Sequence, residues 1–183
     1  MPEPDQTRFR SERLTMRPWQ PYEAERLLDI RRRPEVARWL SDPEPWDDVE
    51  HARAMIHQWA GDEDPPLGIW AIVPDGTDAP VGTVRLKHLP GSDEVEVGWY
   101  LHPDSRGHGF AVEAAGAVLR HATEAGITRV WAIMWPHNQA SARVAEGVGM
   151  VDLGVRPDPW YGTVSDPDSR MFRFEAPPAG SQT

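Results

Sequence analysis

Apolar and polar residues alternate across Arg13-Leu-Thr-Met-Arg17, the period-two pattern of a short strand, with Pro18 as its expected stop. Pro21 suits the first turn of a helix reaching Arg33, whose apolar positions are Tyr22, Leu27, Leu28 and Ile30. Asp42-Pro-Glu-Pro-Trp46 reads as a loop. Asp47 and Glu50 then have capping-box spacing, and Ala52, Met55, Ile56 and Trp59 follow at i, i+3, i+4 and i+7. Gly61 ends that helix. Strand signals come next over residues 69–73, 81–89 and 95–101, joined as antiparallel hairpins by Pro74-Asp-Gly76 and Pro90-Gly-Ser92. From Arg106 the period becomes helical, with Ala111, Ala115, Val118 and Ala122 on one stripe and Gly126 just past its end. Residues 129–135 form a continuous apolar strand. Asn138 caps a further helix bearing Val144, Ala145 and Val148, closed by Gly149. Residues 150–155 and 170–174 read as two final strands.

The element order is β-α-α-β-β-β-α-β-α-β-β. Strand, helix and strand over residues 95–135 make a crossover, so those two strands are expected to be parallel in a mixed sheet. The fold class is therefore mixed α/β (α+β). A chain of 183 residues fits one such domain, expected over 9–175 with polar tails at 1–8 and 176–183. Hydrophobic residues at 39% and charged residues at 26% belong to a folded chain rather than a disordered one.

Charge and composition narrow the partners. A net charge of −10 disfavours nucleic acid and anionic lipid. The longest purely apolar run, Val130-Trp-Ala-Ile-Met-Trp135, is far short of a membrane span. The first residues, MPEPDQTRFRSERL, lack the apolar region of a signal peptide, so a cytoplasmic location is expected. Without cysteine there is no disulfide, no thiolate metal site and no acyl-cysteine intermediate. None of the seven histidines has metal-ligand spacing, and no metal is expected.

Chemistry concentrates at Arg106-Gly-His-Gly-Phe-Ala111, between a strand and a long helix. Glycines let a backbone approach a ligand, consecutive amides can point at it, and a helix N-terminus adds partial positive charge. Arg106 adds a full one. The combination suits phosphate oxygens; the competing reading is a turn that merely starts the helix. Phe110-Ala-Val112 stands where a Walker loop needs Gly-Lys-Ser/Thr. Val112 and Trp135-Pro-His137 stand where a dinucleotide fingerprint needs a small residue and an acid. Both nucleotide readings lose.

Arg106-x-x-Gly109-x-Ala111 resembles the Q/R-x-x-G-x-G/A acetyl-CoA pyrophosphate loop of the GCN5-related N-acetyltransferase (GNAT) family. Arg13-Leu-Thr-Met-Arg17, Glu96-Val-Gly-Trp-Tyr-Leu101, and Asn138-x-x-Ser141 running to Gly149-Met150 extend the likeness along nearly the whole chain. They are most similar to its RimJ/RimL-like branch of ribosomal-protein N-terminal acetyltransferases. The resemblance implies a mostly antiparallel sheet whose parallel pair splays apart to admit the pantetheine arm. Backbone amides of Gly107, His108, Gly109, Phe110 and Ala111 would cradle the pyrophosphate beside Arg106, with the His108 side chain a solvent-facing spacer. Leu101 and Pro103 would flank the pantetheine, Asn138 would hydrogen-bond it, and Ser141 would sit near the thioester sulfur and assist the departing thiolate.

The implied activity is direct transfer from acetyl-CoA to a primary amine, a protein N-terminus or a small cationic amine, in a ternary complex. Similar proteins are commonly homodimers. The alternative on the same fold is a non-catalytic acyl-CoA-binding or sensing module.

Glu96 has two readings. Glu94, Glu96, Gly98 and Tyr100 share the strand face opposite Val95, Val97, Trp99 and Leu101. A glutamate buried there is costly unless paired or useful. It is either a general base, acting directly or through water, or a partner for Arg85 on the neighbouring strand. Some relatives carry an acid in the arm after the last helix; here Trp160 takes that place and Asp158 lies two residues earlier, a second candidate base. Ala145 stands near the tyrosine acid of other branches, which leaves Ser141 for that role. Trp39, Asp42, Glu44 and Trp46 lie in the loop that borders the acceptor cleft in this family, an acidic, aromatic mouth for a cationic amine. Ordinary packing is the competing reading of the tryptophans.

Overall fold

A computed structural model describes residues 8–40, 46–61 and 64–177. Its elements are β1 (Phe9–Arg10), β2 (Leu14–Pro18), α1 (Ala24–Arg32), α2 (Pro34–Ala37), α3 (Val49–Gly61), β3 (Gly68–Pro74), β4 (Gly82–His88) and β5 (Val95–Leu101). Then follow α4 (Phe110–Glu124), β6 (Arg129–Met134), α5 (Gln139–Gly147), β7 (Val151–Pro157) and β8 (Asp168–Glu175). The strands form one sheet in the order β1-β2-β3-β4-β5-β6-β8-β7. Among the described residues only β5 and β6 pair parallel, as the crossover through α4 requires.

Period two sorts the strand residues between two cores. On β3, Trp70 and Ile72 join the core beneath α4, with Val84 and Leu86 of β4 and Ala114 and Val118 of α4. Ala71 and Val73 face the other way, into a second core with Leu27 and Ile30 of α1 and Ala52 and Ile56 of α3. Truncating Ile72 or Leu86, both fully buried, to alanine should cost about 2–5 kcal/mol.

Local chemistry corrects several sequence expectations. The helix expected over 21–33 begins as a 3₁₀ turn at Pro21–Glu23 and breaks at Arg33, which takes ψ 128°. Pro34 disfavours helical backbone in the residue before it, and α2 restarts from that proline. β2 ends at Pro18 as expected, with Pro18 itself its last residue, in register with Trp70. The cap of α3 is Asp48, whose Oδ1 accepts from the His51 amide at 2.8 Å, one residue later than the expected Asp47. Residues 106–109 are loop rather than helix, and Ala111 is only partly buried at the edge of the core while Ala114, Ala115, Val118 and Ala122 are fully buried.

One departure from a closed sheet positions everything that follows. β5 and β6 pair only at Val95↔Val130 and Glu96↔Trp131. Beyond that point β5 stays with β4 as far as Leu101, while β6 stays with β8 as far as Met134. The edge of β5 from Gly98 to Leu101 therefore has no ladder partner on its β6 side. Among the described residues, no helix is long and apolar enough to cross a membrane.

Candidate active site

The chain leaves β5 through a 3₁₀ turn at Pro103–Ser105 and enters α4 by way of Gly107 (φ +81°) and Gly109 (φ +79°). Both angles lie in the left-handed region that glycine adopts without strain. Gly109 is the N-cap of α4 and offers no side chain to the first-turn amides. The amides of Phe110, Ala111 and Val112 are thus left as donors at the positive end of the helix. The contrast with α5 is direct: there Asn138 Oδ1 accepts from the Ser141 amide at 3.1 Å.

The start of β2 braces this turn. Glu113, in the first turn of α4, accepts from Ser11 Oγ, the Arg13 amide and Arg13 Nε, each at 2.7 Å. Arg13 Nη2 reaches on to the His108 carbonyl at 3.1 Å, and its guanidinium lies 5.2 Å from the Phe110 ring centre. Desolvation pushes the Glu113 carboxyl up, but the bonds from Ser11 and Arg13 outweigh it and hold the group below its ordinary value. Arg106 is exposed and donates to the Glu35 carbonyl at 3.0 Å, tying the turn to α2. His108 is exposed and stacks on Phe110, as a spacer would.

A cleft of about 910 Å³ runs from this turn into the gap between β5 and β6. Leu101, Arg106, Gly107, Gly109, Phe110 and Ala111 line it at one end, and Asn138 and Ser141 line it from α5. Pro103 and His108 belong to the turn but not to the lining.

Deeper in, Glu96 is 2% exposed and its Oε1 is shared. Tyr161 Oη donates to it at 2.7 Å, Arg85 Nη2 at 3.1 Å, and Lys87 Nζ stands 3.5 Å away. The pairing with Arg85 is thus present, together with two partners that the sequence did not announce. Desolvation and the Glu96 charge hold the Tyr161 phenol well above its ordinary range. Desolvation and then Arg85 pull the Lys87 ammonium below its own, against Glu96. Arg85 reaches Glu96 by crossing Gly98, its register partner on β5. A Cβ on Gly98 would stand 2.7 Å from Arg85 Nε.

Asp158 lies outside the cleft lining. It is 7% exposed, and its Oδ1 accepts the amides of Trp160 at 2.9 Å and Tyr161 at 3.0 Å. Its observed work is to turn the arm that delivers Tyr161.

The acceptor side differs from the expected mouth. Trp39 lines the cleft. Trp46 does not: it is buried in the second core, with the Arg31 guanidinium 3.9 Å above its ring and His51 stacked at 5.0 Å. Asp42 and Glu44 lie outside the described residues. Among the described residues, six arginine and lysine side chains line the cleft against three carboxylates, so this wall is cationic. No group of three histidine or carboxylate side chains suited to a metal ion occurs among them.

A family model for the acetyltransferase (GNAT) domain matches residues 13–151. The chain is 26% identical over 170 residues to the uncharacterized N-acetyltransferase YoaA of Bacillus subtilis (strain 168), covering 91% of this chain and 96% of that protein. Its fold is similar to the crystal structure of a GNAT-family acetyltransferase from Bacillus anthracis, with TM-score 0.77 and 23% identity over 92% of this chain and 98% of that one. It is also similar to RimL, a ribosomal L7/L12 alpha-N-protein acetyltransferase in complex with coenzyme A, with TM-score 0.75 and 19% identity over 91% and 96%. With a family match across most of its length, and with the uncapped glycine turn and splayed strand pair in place, the chain belongs to the GNAT family of acetyltransferases.

Proposed function

We propose that the chain is an N-acetyltransferase that moves the acetyl group of acetyl-CoA directly to a primary amine, within the RimJ/RimL-like branch. The observation that carries this reading is the gap between β5 and β6 opening above an uncapped, glycine-led helix N-terminus. The amides around Gly107, Gly109, Phe110 and Ala111 would hold the pyrophosphate, as a helix N-terminus holds an anion. The unpaired edge of β5 would take the pantetheine as an added strand, with Leu101 and Asn138 beside it. The fold shared with RimL, whose structure contains coenzyme A, supports that placement.

Acetyl-CoA supplies an activated acetyl thioester. A backbone amide near Leu101 would polarise its carbonyl. As the amine attacks, a C–N bond forms and the C–S bond breaks; the proton lost by nitrogen passes to solvent, and sulfur takes one up. The Ser141 hydroxyl, which has no hydrogen-bond partner among the described residues, would serve the departing sulfur. Glu96 works as a positioning residue: bonded to Tyr161 and Arg85, it fixes both at the deep end of the cleft. An α-amino group titrates near ~8, so a neutral fraction is available without a strong base.

The test is release of free coenzyme A thiol from acetyl-CoA across a panel of amino acids, N-terminal peptides and polyamines. Turnover with any amine is the expected result. Tight acetyl-CoA binding without turnover on the whole panel would favour the sensing module.

A further inference from the structure

We propose that the acceptor is a small amine bearing a carboxylate close to its reacting nitrogen, and that Arg85, Lys87 and the Thr83 hydroxyl hold that carboxylate. The inference rests on the N-acetyltransferase reading and names its substrate class.

β4 presents Thr83, Arg85 and Lys87 to the cleft at alternate positions, in register with Tyr100, Gly98 and Glu96 of β5. Two cations share one carboxylate there, since Arg85 and Lys87 both address Glu96 Oε1. One positive charge is left over. The other carboxylates of the described lining, Glu35 and Asp166, form no ion pair with either cation. Thr83 is 1% exposed, and among the described residues its hydroxyl has no hydrogen-bond partner; the Arg85 Nε–H is buried without one as well. Such groups are costly to leave unmade, and a ligand with acceptor oxygens would satisfy both.

Coenzyme A does not neutralise the surplus charge. A strand rises ~3.3 Å per residue, so Lys87, level with Glu96, lies roughly 16 Å along the sheet from Leu101, where the pyrophosphate turn begins. The pantetheine between them carries no charge. The missing anion therefore belongs to the acceptor. A carboxylate matches the planar guanidinium and can accept from a hydroxyl too. Held over Gly98, it would bring its amine to the point where β5 and β6 part. The surplus cation there also favours the neutral, nucleophilic amine over its ammonium.

The experiment measures coenzyme A thiol release with L-amino acids, their matching carboxamides and spermidine, at equal ionic strength. Wild-type enzyme should use at least one amino acid with kcat/KM at least about tenfold above its carboxamide, a charge-assisted bond being worth that much or more. Arg85→Gln should erase that ratio while the KM for acetyl-CoA stays near its original value. Lys87→Met should shrink the ratio independently, and the wild-type ratio alone decides if a variant fails to fold. Carboxamides or spermidine used as well as every amino acid would overturn the inference and leave the N-acetyltransferase reading intact. No thiol release with any amine, N-terminal peptides included, would overturn both.

Discussion

Tyr161 donates its phenolic hydrogen to Glu96 at 2.7 Å across 65 residues of chain, closing the arm after β7 onto the strand that opens the sheet. The contact pins both residues at the deep end of the cleft and gives Glu96 a role that does not require it to take a proton.

Glu96→Gln separates the two roles. The amide keeps the shape but weakens the charge-assisted bonds from Arg85 and Tyr161, each worth about 1.5–3 kcal/mol. The expected outcome is a fall in acceptor kcat/KM of roughly ten- to a hundredfold, with the pH dependence of kcat unchanged in shape. A pH profile that loses its acidic limb in the variant would instead identify Glu96 as the base. Asp158→Asn, run beside it, should loosen the Tyr161 turn without altering that profile, because Asp158 meets only backbone amides.

The buried phenol gives a second prediction. Desolvation and the nearby Glu96 charge raise the folded pKa of Tyr161 above its ordinary value of 10.0. A group raised in this way contributes stability that is complete below the unfolded pKa. That contribution is lost as pH rises from ~10 toward the folded pKa. In wild type, therefore, absorbance at the phenolate band should show one tyrosine that fails to titrate near pH ~10, and Tyr161→Phe should remove that silent tyrosine. A Phe variant with the same number of silent tyrosines would contradict the burial.

Most of the fold was legible in the sequence because alternation and turn residues act locally. Pro74-Asp-Gly76 and Pro90-Gly-Ser92 already mark the hairpins, and Asn138 already marks the cap of α5. Tyr161 was not legible. Its partner lies far away in sequence, and the arm was read only as far as Trp160. Trp46 misled because a tryptophan in a proline-rich loop reads as exposed, whereas Arg31 covers its face. The net charge of −10 does not foretell the lining of the cleft, since a global excess of acids says nothing about which side chains β4 turns inward. Arg85 was read only as a partner for Glu96. The second use proposed for it rests on Gly98 and on a Thr83 hydroxyl without a partner among the described residues, and both appear only once the register of β4 and β5 is known.

The glycine turn should be intolerant of side chains for a backbone reason. At Gly109 a Cβ would meet nothing closer than Arg13 Nη2 at 3.5 Å, so space is not the obstacle. The obstacle is φ +79°, which costs an L-residue about 1–2 kcal/mol and a β-branched one more. Gly109→Val should relieve that strain by moving the first-turn amides off their targets. Calorimetry should show coenzyme A affinity down by at least about tenfold and a Tm lower by only a few degrees. Unchanged affinity would remove the turn from the binding site.

Glu113 ties that turn to β2, and acid should release it. Its folded pKa lies below the ordinary 4.5, because the bonds from Ser11 and Arg13 outweigh desolvation. The stability it adds is therefore complete above pH ~4.5 and is lost as pH falls through the folded value. Coenzyme A affinity of wild type should weaken over that acidic range more than affinity of Glu113→Gln, which starts weaker and has no such group to titrate. Parallel curves for the two proteins would show that the brace does not shape the turn.

The last prediction concerns Gly98, the residue over which Arg85 crosses. A methyl group there would stand 2.7 Å from Arg85 Nε and 3.3 Å from its Cγ and Cζ. Real contacts are never that short, so in Gly98→Ala the flexible arginine must swing away from Glu96 while the strand itself stays in register. Alanine suits a strand at least as well as glycine, and Glu96 keeps Tyr161 and Lys87 as partners. The net loss in stability should therefore be only about 1 kcal/mol. Binding of the acceptor should suffer more: its KM should rise several-fold while that of acetyl-CoA stays put. The decisive measurement is a double-mutant cycle with Arg85→Gln. If Gly98 matters by letting Arg85 lie across β5, the second substitution adds almost nothing once the first is made. Effects on acceptor KM that simply add would show that Gly98 and Arg85 act separately, and that the crossing has no part in acceptor binding.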